Sequence, residues 1–180
     1  MNFDLKKIIK KKTVFDYVMY GLIIVVGIFL DQLTKFLSAK FLTLVDTIPL
    51  IKFGNTQVLN LTYNENTGAA FGMLKDHRWV FLSISTIAII AMLAYLFLGH
   101  ANTKLEAIGI SMLISGGIGN MIDRLALGYV IDFIDFRLIN FAIFNGADSF
   151  VCVGAGILML ALVLEIVKES KTQKSEEQEQ

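Results

Sequence analysis

Four long apolar stretches constrain the fold of this chain more than any other feature of its sequence. They cover about residues 14–30, 79–98, 105–122 and 150–167, and the second contains no charged residue. Each is about as long as a helix must be to cross roughly 30 Å of hydrocarbon. Uninterrupted apolar runs of this length leave no polar face for a helix in a soluble bundle. The sequence therefore predicts an all-α integral membrane protein with four transmembrane helices in a single domain, 1–180.

Basic residues predict how these helices are oriented. Five lysines lie between residues 6 and 12, three more follow the fourth helix, and Lys104 lies in the short connection between the second and third helices. Because cytoplasmic segments are enriched in Lys and Arg, we expect both termini to be cytoplasmic, an N-in/C-in topology. No small-residue cleavage site follows the first helix, so we expect it to be retained and not removed as a secretory signal. The polar tail 168–180 is expected to be disordered.

The two loops on the opposite, extracytoplasmic side contain strand signals. Residues 57–63 alternate apolar and polar side chains, which predicts a half-exposed strand. Residues 136–144 predict a short hairpin that turns near Asn140. We expect these segments to form a small β platform on the outer membrane surface.

Small residues mark one face of the third helix. Ser111, Ser115 and Gly119 recur at a spacing of four residues, and Gly116 and Gly117 lie beside them. Small side chains let another helix approach closely in lipid, so this pattern predicts helix packing and no chemistry.

The predicted topology brings an unusual set of polar residues to one side of the membrane. The first and third helices end, and the fourth begins, near the outer interface. Ionisable residues at membrane depth are costly, so a cluster of them is a candidate functional site. The cluster comprises Asp31, Asn120, Asp123, Arg124, Asp132, Asn145 and Asp148.

Asp132 and Asp148 are the candidate chemical groups of this cluster, because each is embedded in apolar sequence. Two carboxylates held close in a low-dielectric site cannot both ionise easily, so such a pair shares a proton. One member can then act as base and the other as acid, which activates water against an amide carbonyl. The spacing leaves alternatives open: Asp148 could instead be the N-cap of the fourth helix, and Asp135 could take the role of Asp132.

Three further motifs have a structural interpretation. Asp123 and Arg124 could form a local ion pair that closes the third helix. Asp31 and Lys35 are four residues apart and could form a salt bridge on a helix surface. Residues 66–71, which include an Asn-x-Gly sequence, could form a tight turn before the second helix.

Other classes of site lack the residues that they need. Cys152 lies in an apolar run, where a buried packing role is expected, and a single cysteine forms neither an internal disulfide nor a thiolate cluster. His77 and His100 flank the second apolar stretch, about a bilayer apart, and cannot share a metal ion. The formal net charge is zero, which gives no field that attracts nucleic acid. We therefore expect no metal, no cofactor and no nucleic-acid partner.

Five short motifs follow one another between residues 31 and 148. They are Asp31-Gln-Leu-Thr-Lys35, Asn66-Thr-Gly-Ala-Ala-Phe71, Gly116-Gly-Ile-Gly-Asn120-Met-Ile-Asp123-Arg124, Val130-Ile-Asp132-Phe-Ile134 and Phe144-Asn145-Gly-Ala-Asp148. In this order, and with four membrane helices, the chain resembles the lipoprotein signal peptidase family (signal peptidase II), which are bacterial intramembrane aspartyl proteases.

The resemblance implies that Asp132 and Asp148 are the catalytic dyad, since Asp135 falls outside the family's motif. It implies a prolipoprotein substrate whose cysteine carries diacylglycerol, cleavage just before that cysteine, and inhibition by globomycin-type cyclic peptides. It also implies a lipid-embedded protein of the bacterial cytoplasmic membrane with its active site at the extracytoplasmic face, and we expect a monomer. The positions that match the family's other functional residues, implied to bind substrate or support the site, are Asp31, Lys35, Asn66, Asn120, Arg124 and Asn145.

Two other functions use clustered membrane acids. A metal-dependent lipid phosphotransferase would use Asp123, Asp132 and Asp135, but the chain lacks the Asp-Gly-x-x-Ala-Arg element of that class, and hard cations need several convergent oxygen ligands. A proton-coupled transporter would place its acids near the membrane midplane and show an internal repeat. Here the acids collect at one face, and the sequence has no such repeat.

Overall fold

Four helices and a three-stranded sheet make up the fold in the computed structural model, which describes residues 12–45, 47–68, 77–139 and 141–178. All four helices are long and apolar enough to cross a membrane, as the apolar runs predict. The helices are α1 (Val14–Phe41), α2 (Arg78–Phe97), α3 (Lys104–Ala126) and α4 (Gly146–Gln178). The strands are β1 (Ile48–Phe53), β2 (Thr56–Asn66) and β3 (Val130–Phe136).

α1 and α3 each begin at a capping box. The Thr13 hydroxyl accepts a hydrogen bond from the backbone N–H of Asp16 (3.3 Å), and the Asp16 carboxylate accepts one from the N–H of Thr13 (2.9 Å). Thr103 and Glu106 make the same reciprocal pair at the start of α3. These bonds satisfy N–H groups that have no partner within the helix. Asp16 and Glu106, which lie near the starts of two apolar stretches, therefore mark where these helices begin.

α1 is longer than the first apolar stretch. The predicted end of this helix near residue 30 is wrong, because α1 continues through Asp31 to Phe41. Asp31 and Lys35 face inward and are buried, whereas Phe36, directly after Lys35, is 61% exposed. An ion pair buried within the protein thus lets the helix go on past the apolar run.

α4 also extends beyond its apolar part. It starts at Gly146, before the predicted start, and continues to Gln178, so the expectation of a disordered tail after Lys168 is wrong. Glu, Lys and Gln are abundant in this tail and are good helix formers, and extending a helix is easier than starting one. The basic segment before the first helix lies outside the described residues except for Lys12.

The three strands form an antiparallel sheet in the order β1-β2-β3, and β2 contains the predicted strand 57–63. The predicted hairpin over 136–144 is wrong. The chain instead makes a 3-10 turn after β3 and returns to it through a single bridge between Ile134 and Phe144. Asn140, the predicted turn position, lies outside the described residues. The sequence does not predict β3, because its mostly apolar residues are buried on both faces and do not alternate.

α3 is the central helix and packs against the other three. Half of its apolar part is buried (50%), compared with 11% for α4. Ser111, Ser115 and Gly119 are all buried, which confirms the predicted packing face. A Cβ on Gly109 would lie 2.9 Å from the carbonyl oxygen of Gly154, so the backbones of α3 and α4 touch at this point.

Candidate active site

A cavity of about 610 Å³ lies among β2, β3, the C-terminal end of α3 and the start of α4. Its polar lining residues are Asn66, Asn120, Arg124, Asp132, Asp148 and Ser149. Its apolar lining residues are Val130, Phe141, Ala142, Ile143, Phe144, Val151 and Val153, together with Cys152. A cavity with both kinds of lining suits a ligand that is itself part polar and part apolar.

Asp132 lies on β3 and is 1% exposed. Its two carboxylate oxygens accept hydrogen bonds from the side-chain amides of Asn66 (2.9 Å) and Asn145 (2.7 Å). Burial raises the pKa of the Asp132 carboxyl to about 6; the Asn66 hydrogen bond opposes this shift and the charge of Asp148 adds to it. A carboxyl group with this pKa can carry a proton close to neutral pH.

Asp148 lies in the first turn of α4 and forms a capping box with Asn145. The N–H of Asp148 donates to Asn145 Oδ1 (3.0 Å), and the N–H of Asn145 donates to Asp148 Oδ2 (3.1 Å). Asn145 is therefore the N-cap of this helix, and the alternative prediction that Asp148 is the N-cap is wrong. Asn120 donates to the other carboxylate oxygen of Asp148 (2.8 Å). The positive end of the helix dipole stabilises a negative charge here.

Asn145 connects the two aspartates and is fully buried. Its side-chain amide donates to Asp132 (2.7 Å) and to Asn120 Oδ1 (3.1 Å), while its backbone N–H donates to Asp148. Every polar atom of this side chain has a partner, which fixes the orientation of the amide. The two carboxylates thus share one rigid neighbour.

Lys35 lies next to this network, in a buried cluster with Asp31 and Asp123. Its Nζ atom is 2.9 Å from a carboxylate oxygen of each aspartate, and it also donates to Asn120 (2.9 Å). The predicted Asp31–Lys35 salt bridge is confirmed, but it is buried and does not lie on a helix surface.

Arg124 does not pair with Asp123, so the predicted local ion pair is wrong. Consecutive residues of a helix point about 100° apart, and Asp123 faces Lys35 instead. The guanidinium of Arg124 donates to the carbonyl of Gly68 (3.1 Å) and lies over the Phe81 ring, 4.7 Å from its centroid. This places a cation in the cavity wall.

Asn66 has both of the roles considered for it. Its Oδ1 atom accepts a hydrogen bond from the N–H of Gly68 (2.9 Å), which forms the predicted tight turn. Its Nδ2 atom donates to Asp132. The rest of this motif, residues 69–71, lies outside the described residues.

Asp135 lies three residues after Asp132 on β3, and an odd spacing along a strand reverses the face. Its carboxylate pairs with Arg137 (2.6 Å) and accepts from Thr62 (3.0 Å), and it does not line the cavity. The structure thus separates the two aspartates that spacing leaves as competitors.

Cys152 is exposed and lines the cavity, so the expectation of a buried packing role is wrong. Cys152 lies one helical turn after Asp148. The apolar sequence around it does not show which face of the helix borders lipid, protein or the cavity, so it could not predict that Cys152 is exposed. Within the described segments, no group of three or more His, Cys, Asp or Glu side chains could hold a metal ion.

Gln32 contacts the buried charges beside the site, although the sequence motifs did not predict a role for it. Its amide donates to Asp123 (2.9 Å) and to the carbonyl oxygen of Gly119 (3.2 Å). Its place directly after Asp31 in the first motif is the signal that could have identified it.

The sequence of this chain matches a family model described as signal peptidase (SPase) II over residues 23–164. The chain belongs to the signal peptidase II family. Its four apolar helices and this membership make it a multi-pass bacterial membrane protein.

Two lipoprotein signal peptidases are similar to this chain over most of their own length. The lipoprotein signal peptidase of Brevibacillus brevis is 41% identical over 146 residues, which cover 81% of this chain and 95% of the relative. That of Clostridium tetani is 42% identical over 147 residues, with 80% and 92% covered.

Two solved structures, each described as a bacterial membrane enzyme determined by the in meso method, are similar to this fold. The first, at 2.3 Å resolution, has a TM-score of 0.75 and 34% identity, covering 82% of this chain and 89% of that chain. The second, at 1.9 Å, has a TM-score of 0.70 and 35% identity, covering 80% and 92%.

Proposed function

We propose that this chain cleaves diacylglyceryl-modified prolipoproteins just before the lipidated cysteine, with water that Asp132 and Asp148 activate. As a member of the signal peptidase II family, the chain is an aspartic-type lipoprotein signal peptidase. The observation that carries the dyad proposal is the contact of Asn145 with both carboxylates at the wall of one cavity.

The two aspartates have complementary roles in the proposed mechanism. Asp132, whose pKa burial raises to about 6, holds the shared proton and donates it to the oxygen of the scissile carbonyl. Asp148, at the N-terminus of α4, acts as the base and takes a proton from the attacking water. When the resulting diol collapses, Asp148 passes its proton to the leaving amine nitrogen and Asp132 recovers one from the diol hydroxyl.

The cavity lining supports the proposed substrate. The amide of Asn66 and the guanidinium of Arg124 can donate hydrogen bonds to a peptide backbone, as the family resemblance implies. The apolar residues, with the aromatic pair Phe141 and Phe144 (ring centroids 5.8 Å apart), can contact the signal peptide and the acylated cysteine. The polar and apolar parts of the lining thus match the two parts of a lipid-modified peptide.

The proposed setting is the bacterial cytoplasmic membrane, with both termini inside and the sheet at the extracytoplasmic face. Diacylglycerol keeps the modified cysteine in the outer leaflet, so the scissile bond lies near the outer interface. The chain acts there as a monomer surrounded by lipid, and no cofactor or metal takes part in a two-carboxylate mechanism.

Cleavage of synthetic lipobox peptides by the purified full chain tests this function. We expect the diacylated peptide to be cut before its cysteine, EDTA to have no effect, and a globomycin-type cyclic peptide to inhibit. Equal cleavage of the peptide without acyl chains, or loss of activity with EDTA, would contradict the proposal.

A further inference from the structure

A second pair of buried carboxylates lies behind the proposed dyad. Asp31 and Asp123 are 1% and 3% exposed, and neither lines the cavity. Lys35, itself 2% exposed, places its Nζ atom 2.9 Å from each. Buried charges are costly unless every one of them is paired and hydrogen-bonded, so a cluster like this needs a reason in the fold.

Each of these two carboxylates accepts a hydrogen bond from the backbone just ahead of one dyad aspartate. Asp31 Oδ1 accepts from the N–H of Ala147 (2.7 Å), one residue before the dyad aspartate of α4. Asp123 Oδ2 accepts from the N–H of Ile131 (3.1 Å), one residue before the dyad aspartate of β3. The two arrangements match although they involve different elements.

Gln32, Gly119 and Asn120 complete the surroundings of the two carboxylates. Gln32 donates to Asp123 (2.9 Å) and also lies 3.2 Å from Asp31 Oδ2. Gly119 leaves room for the Asp31 carboxylate, which occupies the place where a Cβ on that residue would lie. Lys35 links both carboxylates to Asn120, whose amide then donates to the dyad.

We propose that Asp31, Lys35 and Asp123 form a backbone clamp that fixes the distance between Asp132 and Asp148. The clamp rests on the proposed function, and its members are positioning residues that do not touch the substrate. α1 supplies two of the three charges, so this helix holds the start of α4 and the start of β3 in register. Misplacing a reacting group by about 1 Å can cost ~10²-fold in rate, which makes such a clamp necessary for a two-carboxylate reaction.

Asp123→Ala tests the clamp in the purified full chain. We expect kcat for a diacylated lipobox peptide to fall ~10²-fold while KM changes less than ~2-fold, because Asp123 lies outside the cavity. Hydrogen exchange, measured without substrate, should become faster in the peptide covering 128–136, which reports the amide of Ile131. Asp31→Ala should instead speed exchange most in the peptide covering 144–150, which reports the amide of Ala147.

Asp123→Asn keeps the shape and one carbonyl acceptor, so it should restore exchange protection and most of kcat even if Asp123→Ala folds poorly. The matched control is Asp135→Ala, which removes an equally buried carboxylate from β3 and should leave kcat within ~2-fold. Unchanged exchange at both peptides, or a loss confined to KM, would overturn the clamp. Because exchange is measured without substrate, it distinguishes failure of the clamp from failure of the proposed function.

Discussion

Asp132 and Asp148 carry the same carboxyl group but have different surroundings. Asp132 lies on a buried strand and accepts hydrogen bonds from two side-chain amides. Asp148 lies in the first turn of a helix and accepts from the backbone N–H of Asn145 and from Asn120. Surroundings that differ in this way are what let two identical groups take the roles of acid and base.

The raised pKa of Asp132 leads to a pH prediction. Its pKa of about 6 is above the ordinary value of 3.8. The stability that this group contributes is therefore fully present below pH 3.8 and is lost as the pH rises through about 6. The infrared C=O band of the protonated carboxyl should disappear with a midpoint near pH 6, and the melting temperature should fall over the same range. Asp132→Asn should show neither change. If the infrared band of the wild type disappears with a midpoint at about pH 4, the raised pKa of Asp132 is contradicted.

Asn145→Ala should lower kcat by ~10²-fold, because it removes the side-chain donor to Asp132 and Asn120 and the side-chain cap of α4. Steady-state kinetics of lipobox cleavage measure this effect. Asn60→Ala is the matched control, since Asn60 is equally buried on β2 but hydrogen-bonds to Gln57. Similar losses of kcat in both variants would show that burial, and not the bridge between the aspartates, explains the effect.

Close packing of α3 against α4 positions the residues of the site that these two helices carry. Gly109 and Gly154 each lack room for a Cβ against the backbone of the other helix, the nearest carbonyl oxygens being 2.9 and 2.8 Å from the added atom. Because Asn120 lies on α3 and Asp148 on α4, this close approach brings their hydrogen bond within reach.

Gly154→Leu should destabilise the protein by about 1–3 kcal/mol through overpacking and should also lower activity. A Cβ on Gly156 of the same helix meets nothing within 4 Å, so Gly156→Leu should leave both unchanged. Thermal unfolding in detergent measures the difference. Equal melting temperatures for the two variants would contradict the close α3–α4 packing.

The sequence predicts elements well where one physical requirement determines them. The length of the hydrocarbon layer makes the four helices recognisable, and alternation identifies β2. The ends of α1 and α4 depend on partners far away in the chain, as Asp31 shows by pairing within a buried cluster. β3 has no alternation because both its faces are buried, so its strand state depends on tertiary contacts.

The candidate site is predictable in its members but not in its geometry. Helix counting and five motifs bring Asp132, Asp148 and Asn145 together. Neither the helix positions nor the motifs show that Asp123 pairs with Lys35 and not with Arg124, because this depends on how α3 is rotated about its axis. The exposure of Cys152 likewise depends on which face of α4 borders the cavity.

For the whole molecule, the proposed N-in/C-in orientation can be tested with single cysteines. Two variants are made in a Cys152→Ser background. Asn55→Cys places a thiol in the exposed β1–β2 turn, and Ser175→Cys places one near the end of α4. A membrane-impermeant maleimide added to intact cells or spheroplasts should label the first, and the second only after the membrane is opened. The opposite pattern would place the sheet and the site on the cytoplasmic side.

The dyad itself is tested most directly by measuring single-turnover cleavage and binding of a diacylated lipobox peptide by Asp132→Asn and Asp148→Asn. Each variant should bind the peptide within ~3-fold of wild type and lose at least ~10³-fold in the cleavage rate, as expected for an essential acid or base. Asp135→Asn should cleave like the wild type. Cleavage at the wild-type rate by either dyad variant would contradict the account.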